Sequence, residues 1–410
     1  MAQATDSDPA QALGTRRRFT VTGQVQGVGF RPFVYRLALE HDLVGFVRND
    51  ASGVTIEVQG PEPRVAAFAR DLETRLPPLA RIVSLQTEAL PPSPDHPDNS
   101  GFHILDSKGG HGHQVLISPD TAICADCLAE VFDPADRRYL YPFTNCTNCG
   151  PRHTITRDIP YDRETTSMAC FPMCPDCDRE YHDPLDRRFH AQPNACPVCG
   201  PVVWLTDAAG QELSRGPEAL LETARALSRG AIAAIKGLGG FHLACDATDP
   251  ETVRRLRKRK NRWGKPLAVM VADLAAAREL VDLTLAEEAE LSGTERPIVL
   301  CRRDAGPLSR DEASHSVNPE DTASEVAASL KRGLAPGIAP DTHHIGLMLP
   351  YTPLHHVLFF HLRRVLGNGG RVAALVMTSG NLSGEPIALG NREALGRLGG
   401  IADLFLLHNR

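Results

Sequence analysis

Apolar and polar positions alternate along RFTVTGQV (residues 18–25), which predicts a strand with one buried face, and the spacing then changes to helical in PFVYRLALEHDL (32–43). VGFVRND (44–50) and SGVTIEVQG (52–60) read as two strands meeting at a turn near Asp50 to Gly53. A second helical period covers EPRVAAFARDLETRL (62–76), and RIVSLQTEAL (81–90) and GFHIL (101–105) supply further strands. The order is βαββαβ within about 90 residues, a ferredoxin-like α+β pattern. A proline-rich loop, PPSPDHPDNSG (91–101), precedes the last strand, and SKGGHGH (107–113) reads as a linker. Past Trp204 the pattern becomes α/β. It runs through a helix at 217–230, a strand at 231–237, a basic helix at 251–260, a strand at 266–271, helical segments to about 292, and strands at 297–301 and 372–380. Residues 1–14 are small and polar and are expected to be disordered, and 304–321 reads as a surface insertion. The chain stops directly after a strand-like run, LFLLHNR (404–410), which gives the expectation of a fragment.

At 410 residues, two to four domains are expected. A net charge of -6 and a pI near 6.2 give no general attraction to polyanions. No apolar segment approaches the roughly 20 residues a bilayer span requires, and the N-terminus lacks the order of a signal peptide. The chain therefore reads as cytoplasmic, with no membrane partner.

Eight of the eleven cysteines fall in four C-x-x-C pairs. They belong to an internal repeat: CADCLAEVFDPADRRYLYPFTNCTNCGP begins at Cys124 and CPDCDREYHDPLDRRFHAQPNACPVCGP at Cys174, fifty residues later. A tetrahedral zinc ion needs four ligands, and two such turns supply them. Two structural zinc ions are expected, one on Cys124, Cys127, Cys146 and Cys149 and the other on Cys174, Cys177, Cys196 and Cys199, with interleaved pairing open. Redox pairs and disulfides fit less well, because redox C-x-x-C motifs occur singly and a reducing compartment keeps thiols free. Cys170, Cys245 and Cys301 read as ordinary thiols, and His111, His113, His355 and His356 as non-ligands. Residues 120–201 hold thirteen acidic residues against eight arginines and no lysine, which repels a phosphate backbone and disfavours nucleic acid.

Two stretches carry candidate chemistry. Between Gly23 and Arg31 three glycines and one arginine precede the first helix, so the backbone N–H groups can converge as an anion nest; an exposed glycine turn explains the composition equally well. Context decides between them. GQVQGVGFRPF, with VRNDASG placing Asn49 eighteen residues after Arg31, resembles the acylphosphatase family over roughly residues 16–105. That resemblance implies a phosphate held by Gln26, Gly27, Val28, Gly29, Phe30 and Arg31, and an attacking water positioned by Asn49. The second stretch, RRLRKRKNRWGK (254–265), has eight basic residues in twelve, which a solvated helix face or a nucleic-acid arm also explains. Together with KGLGGFHLACDA (236–247), LMLPYTPLHH (347–356) and MTSGNLSGEP (377–386), it resembles the YrdC/Sua5 family. The implied nucleotide contacts are Lys236, Lys260, Arg262, Thr378, Ser379 and Asn381.

Three parts in this order, spanning 15–105, 106–205 and 212–410, resemble the N-terminal part of the HypF carbamoyltransferase family, whose members mature nickel–iron hydrogenases. The resemblance implies three steps: hydrolysis of carbamoyl phosphate, ATP-dependent formation of carbamoyl adenylate with ATP as its Mg2+ complex, and transfer to the C-terminal cysteine of a HypE-type acceptor. The metal-binding histidine motif of the transfer domain has no match, so the first two steps are expected without the third. A threonylcarbamoyl-adenylate synthase serving tRNA would explain the last part alone, and a non-enzymatic zinc adaptor the middle alone.

Overall fold

A computed structural model describes residues 14–50, 53–92, 101–107, 117–302, 333–340, 342–367 and 371–410. The N-terminal tail, His111, His113 and the polar stretch 304–321 lie outside the described residues. The chain forms two compact units: one takes in residues up to 127 with 144–200 and Arg410, the other 128–143 with 201–409. This division passes through the first cysteine repeat.

In the first unit, β1 (Thr15–Gln24), α1 (Phe30–Glu40), β2 (Val44–Asp50), β3 (Gly53–Gly60), α2 (Glu62–Thr74), β4 (Arg81–Leu90) and β5 (Phe102–Ile104) follow the expected βαββαβ order with a fifth strand added at its end. The sheet runs β4-β1-β3-β2-β5. All pairs are antiparallel except β2 with β5. Alternation along β1 sends Phe19 and Val21 into a core with Val34, Leu37, Ile56, Phe68 and Leu72 from the other strands and helices. The β2–β3 register sets Asn49 opposite Val54.

The cysteine repeats share their local hydrogen bonds. Asp133 and Asp183 each accept from the backbone N–H two residues on (both 2.9 Å), and Asp136 and Asp186 do the same (both 2.7 Å). Each repeat has a residue of positive φ at the same place, Leu140 and His190, whose N–H returns to the helix before it, at Val131 and Tyr181. Those helices are α3 (Ala125–Phe132) and α4 (Pro175–His182). Duplication thus extends from the motif to the backbone.

Among the described residues the second unit carries nine strands: β6 (Val203–Asp207), β7 (Glu212–Arg215), β8 (Ala233–Lys236), β9 (Phe241–Asp246), β10 (Val269–Val271), β11 (Val299–Arg302), β12 (His344–Met348), β13 (Ala374–Ser379) and β14 (Leu404–His408). They form one sheet in the order β11-β12-β10-β13-β9-β8-β14-β6-β7. Its helices are α5 (Pro217–Ser228), α6 (Pro250–Lys260), α7 (Leu274–Leu280), α8 (Leu285–Ser292), α9 (Pro353–Leu366) and α10 (Asn391–Leu398). The apolar run at the end of the chain is β14, parallel to β8 and antiparallel to β6. Register places Ser379 of β13 opposite His242 of β9, so the end of β13 sits in the middle of the sheet. No described helix is long and apolar enough to cross a membrane.

Candidate active sites and metal centres

The loop between β1 and α1 needs its glycines. Gly27 and Gly29 have φ of 71° and 73°, a left-handed conformation that L side chains rarely adopt. A Cβ on Gly27 would stand 3.2 Å from Cδ of Arg152 and 3.4 Å from the ring of Tyr161. Gly29 precedes α1 and, among the described residues, no side chain caps that helix, so the first-turn N–H groups stay available to an acceptor. Val25, Gln26, Gly27, Gly29, Phe30, Arg31 and Asn49 line one cavity of about 30 Å³. Nucleotide-sized ligands call for roughly 300 Å³ or more, so this one suits a small anion.

Arg31 and Asn49 are both buried, at 8% and 1% exposure. Arg31 donates to Asp162 at 2.7 Å and approaches the Ser107 hydroxyl at 3.4 Å, which leaves further donors of its five. Oδ1 of Asn49 has no partner among the described residues. Leaving a buried acceptor unmade costs about 1–3 kcal/mol, so its position at the cavity fits a water or ligand. Gln26 behaves differently from the rest of the loop. Its side chain donates to the carbonyls of Asp50 (2.9 Å) and Gly53 (2.8 Å) and accepts from Tyr161 N–H (3.2 Å), so it ties the loop to the β2–β3 ends. Val28 is buried in the core beneath.

The cavity wall also holds residues that sequence reasoning missed: Thr147, Arg152 and Tyr161 on one side and His190 to Pro193 on the other. Arg152 is 2% exposed. It donates to Gly27 O and to the carbonyls of Cys149 (3.0 Å), Pro151 (2.8 Å), Cys146 (3.3 Å) and Thr147 (2.8 Å), joining the first cysteine knuckle to the glycine loop. The available signal was a break in the repeat: Val202 stands fifty residues after Arg152, where a strict copy would repeat it. Burial, with the Arg31 charge second, pulls His190 down to about 3, so its ring is neutral at pH 7.

Each cysteine set closes locally. Sγ separations are 3.7, 3.9 and 3.6 Å in the first set and 3.7, 3.8 and 3.6 Å in the second, and within each set all four sulfurs lie within 4.8 Å of one another. A Zn–S length of about 2.3 Å in tetrahedral geometry sets sulfurs about 3.8 Å apart, so both sets fit structural zinc. Disulfide sulfurs would stand about 2 Å apart. Of the three other cysteines, Cys170 is exposed and Cys245 and Cys301 are buried.

In the second unit the structure brings the lysine of the basic helix onto the end of β13. Lys260 is 2% exposed and donates to Ser379 O (2.5 Å), Asn381 O (2.7 Å) and Asn381 Oδ1 (2.8 Å). An ammonium has three protons, so all are used. Burial, helped by nearby Arg262, pulls the Lys260 ammonium down to about 8. Ser379 Oγ also donates to Asn381 Oδ1 at 2.7 Å. Thr378 is buried one residue earlier on β13, Arg262 donates to Pro266 O at 2.8 Å, and Lys236 donates to His408 O at 3.2 Å. Much of the basic run is structural: Arg257 holds the carbonyls of Arg262, Trp263, Lys265, Gly337 and Ile338, while Arg259 pairs with Asp403 at 2.6 Å and Arg254 with Glu251 at 2.7 Å.

A glycine loop on a five-stranded α+β sheet, paired four-cysteine clusters and a nine-stranded α/β sheet define a multidomain protein of known parts. The acylphosphatase family model matches residues 17–104, the HypF finger model 123–156 and 173–206, and the Sua5/YciO/YrdC model, described as telomere recombination, 225–410. Carbamoyltransferase HypF2 of Cupriavidus necator is 49% identical over 408 residues, covering 98% of this chain and 47% of the relative. Carbamoyltransferase HypF of Synechocystis sp. is 46% identical over 390 residues, 95% of this chain and 46% of the relative. A crystal structure of full-length HypF in the phosphate- and nucleotide-bound form is 43% identical, with a TM-score of 0.82 over 97% of this chain and 47% of that one. The chain belongs to the HypF carbamoyltransferase family. It spans about half the length of the curated relatives it matches.

Proposed function

We propose that this chain carries out the opening steps of a carbamoyltransferase of nickel–iron hydrogenase maturation, with functional boundaries at 15–105, 106–205 and 212–410. In the first step, the loop N–H groups and Arg31 hold the phosphate of carbamoyl phosphate while Asn49 Oδ1 orients a water. The water oxygen bonds to phosphorus, the bond from phosphorus to the bridging oxygen breaks, and carbamate leaves with the bonding electrons. Inorganic phosphate remains once the water's proton is lost. An acyl phosphate already has a good leaving group, so charge stabilisation and orientation supply the catalysis.

In the second step a carbamate oxygen attacks the α-phosphorus of ATP, bound as its Mg2+ complex, and pyrophosphate departs with the electrons of the broken bond. Lys236, Arg262, Thr378, Ser379 and Asn381 serve the nucleotide, and Lys260 serves it through the 379–381 loop that it holds. Two structural zinc ions frame the middle part. The thiolate of the C-terminal cysteine of a HypE-type acceptor then bonds to the carbamoyl carbon, the bond from that carbon to the adenylate oxygen breaks, and AMP leaves with its electrons. Work in the cytoplasm follows from this substrate chemistry.

One observation carries the reading: a single relative, a carbamoyltransferase, is 49% identical across 98% of the chain, so all three parts occur together in one protein. Phosphate and pyrophosphate release tests it. Carbamoyl phosphate with ATP should give both products, whereas ATP with threonine and bicarbonate should give no pyrophosphate. The reverse pattern would establish a threonylcarbamoyl-adenylate synthase instead.

A further inference from the structure

We propose that the Tyr161 hydroxyl is a substrate contact in the anion cavity, donated by the segment between the two cysteine repeats; this rests on the carbamoyl phosphate reading of that cavity. Tyr161 is 3% exposed and lines the cavity with Arg31 and Asn49. Its hydroxyl is buried with no partner among the described residues. Buried hydroxyls are ordinarily bonded, and a tyrosine whose body is packed but whose oxygen is unspent is suited to a ligand. Three features fix the ring independently of any ligand: Tyr161 N–H donates to Gln26 Oε1 at 3.2 Å, the ring packs where a Gly27 side chain would stand, and the neighbouring Asp162 pairs with Arg31 at 2.7 Å.

Burial also raises the phenol, so at neutral pH it keeps its proton and donates. A donor at this place matches a phosphate oxygen of the acyl phosphate, whose charge the loop and Arg31 share. Asn49 Oδ1, an acceptor, is left for the water. The cavity therefore draws on both ends of the first unit's sequence. The part from β1 to β5 supplies the β1–α1 loop, Arg31 on α1 and Asn49 on β2, and the segment between the repeats supplies the extra donor.

Tyr161→Phe removes the oxygen and keeps the ring. In the 410-residue chain it should lower kcat/KM for phosphate release from carbamoyl phosphate tenfold or more and raise the half-saturating inorganic phosphate in thermal-shift titrations by a similar factor. Zinc should stay at two per chain, and the unliganded midpoint should not fall, because the hydroxyl bonds to none of the described residues. Hydrolysis within twofold of wild type with an unchanged phosphate titration would overturn the proposal, as would a loss of activity accompanied by a lower unliganded midpoint, which marks a structural hydroxyl. A wild-type chain that binds phosphate yet leaves carbamoyl phosphate intact would refute the substrate reading instead, and the phosphate titration would still decide the Tyr161 contact.

Discussion

The two candidate anion sites differ in how much of their hydrogen-bonding capacity the chain itself consumes. Among the described residues around the β1–α1 loop, Asn49 Oδ1 and the Tyr161 hydroxyl are buried and unspent, and the first turn of α1 has no side-chain cap. At the end of β13 the opposite holds, since Lys260 gives all three protons to Ser379 and Asn381. A site with unspent, fixed groups is preorganised for a small anion and needs no rearrangement to bind it. A site whose lysine is saturated acts through the loop it shapes, or exchanges those bonds when phosphate enters. The first arrangement ties activity to individual atoms, the second ties it to local stability.

Breaking the frame of the first site should have the largest effect. Cys146→Ser should lower zinc from two to one per chain by elemental analysis and abolish phosphate release. Cys146 and its neighbours carry the carbonyls that hold Arg152, and structural zinc contributes roughly 10 kcal/mol to such small modules. Retained hydrolysis at one zinc would separate cluster from cavity. Asn49→Ala comes next: it should reduce kcat for phosphate release by about a hundredfold or more, in line with the loss of one preorganised polar group. Thermal stability should hardly change, since Oδ1 bonds to none of the described residues.

Lys260→Met sharpens the contrast from the other side. It should cost about 2–4 kcal/mol in urea unfolding by stranding the acceptors on Ser379 and Asn381, and it should impair pyrophosphate release while phosphate release continues. A smaller, general effect concerns pH. His355 is fully buried with both ring nitrogens unpartnered among the described residues, and burial, then His242 and His356, hold it well below the usual imidazole value. Its folded form stays neutral where the unfolded chain takes a proton. Stability should therefore fall as pH drops below about 6.5, by about 1.4 kcal/mol per pH unit for this group. His355→Phe should flatten that slope, and an unchanged slope would assign acid sensitivity elsewhere.

What could be read from the sequence follows from the range of the interactions. The zinc sets, the strand order of the first sheet and the glycine loop rest on local spacing, and each of those patterns has its counterpart in the structure. Pairing of cysteines within each repeat was one of two options, and the sulfur positions select it. Tyr161 and Asp162 were not legible, because they meet the loop across more than a hundred residues and no local pattern marks them, and for Arg152 the break in the repeat marks the position but not its contact with the loop. Gln26 and Lys260 show the converse. Their motifs are plain, but only tertiary contacts reveal that the glutamine spends its amide on the β2–β3 ends and that the lysine is saturated. The β6–β7 hairpin and β9 went unread because their short apolar runs lack a distinguishing period.

On the proposed reading, the β1–α1 cavity consumes carbamoyl phosphate through Arg31. Phosphorus NMR of carbamoyl phosphate mixed with the wild-type chain and with Arg31→Ala tests it directly: wild type should convert the acyl phosphate signal to inorganic phosphate, and Arg31→Ala should leave it at the uncatalysed rate with two zinc ions still bound. Consumption by Arg31→Ala at the wild-type rate would contradict the account.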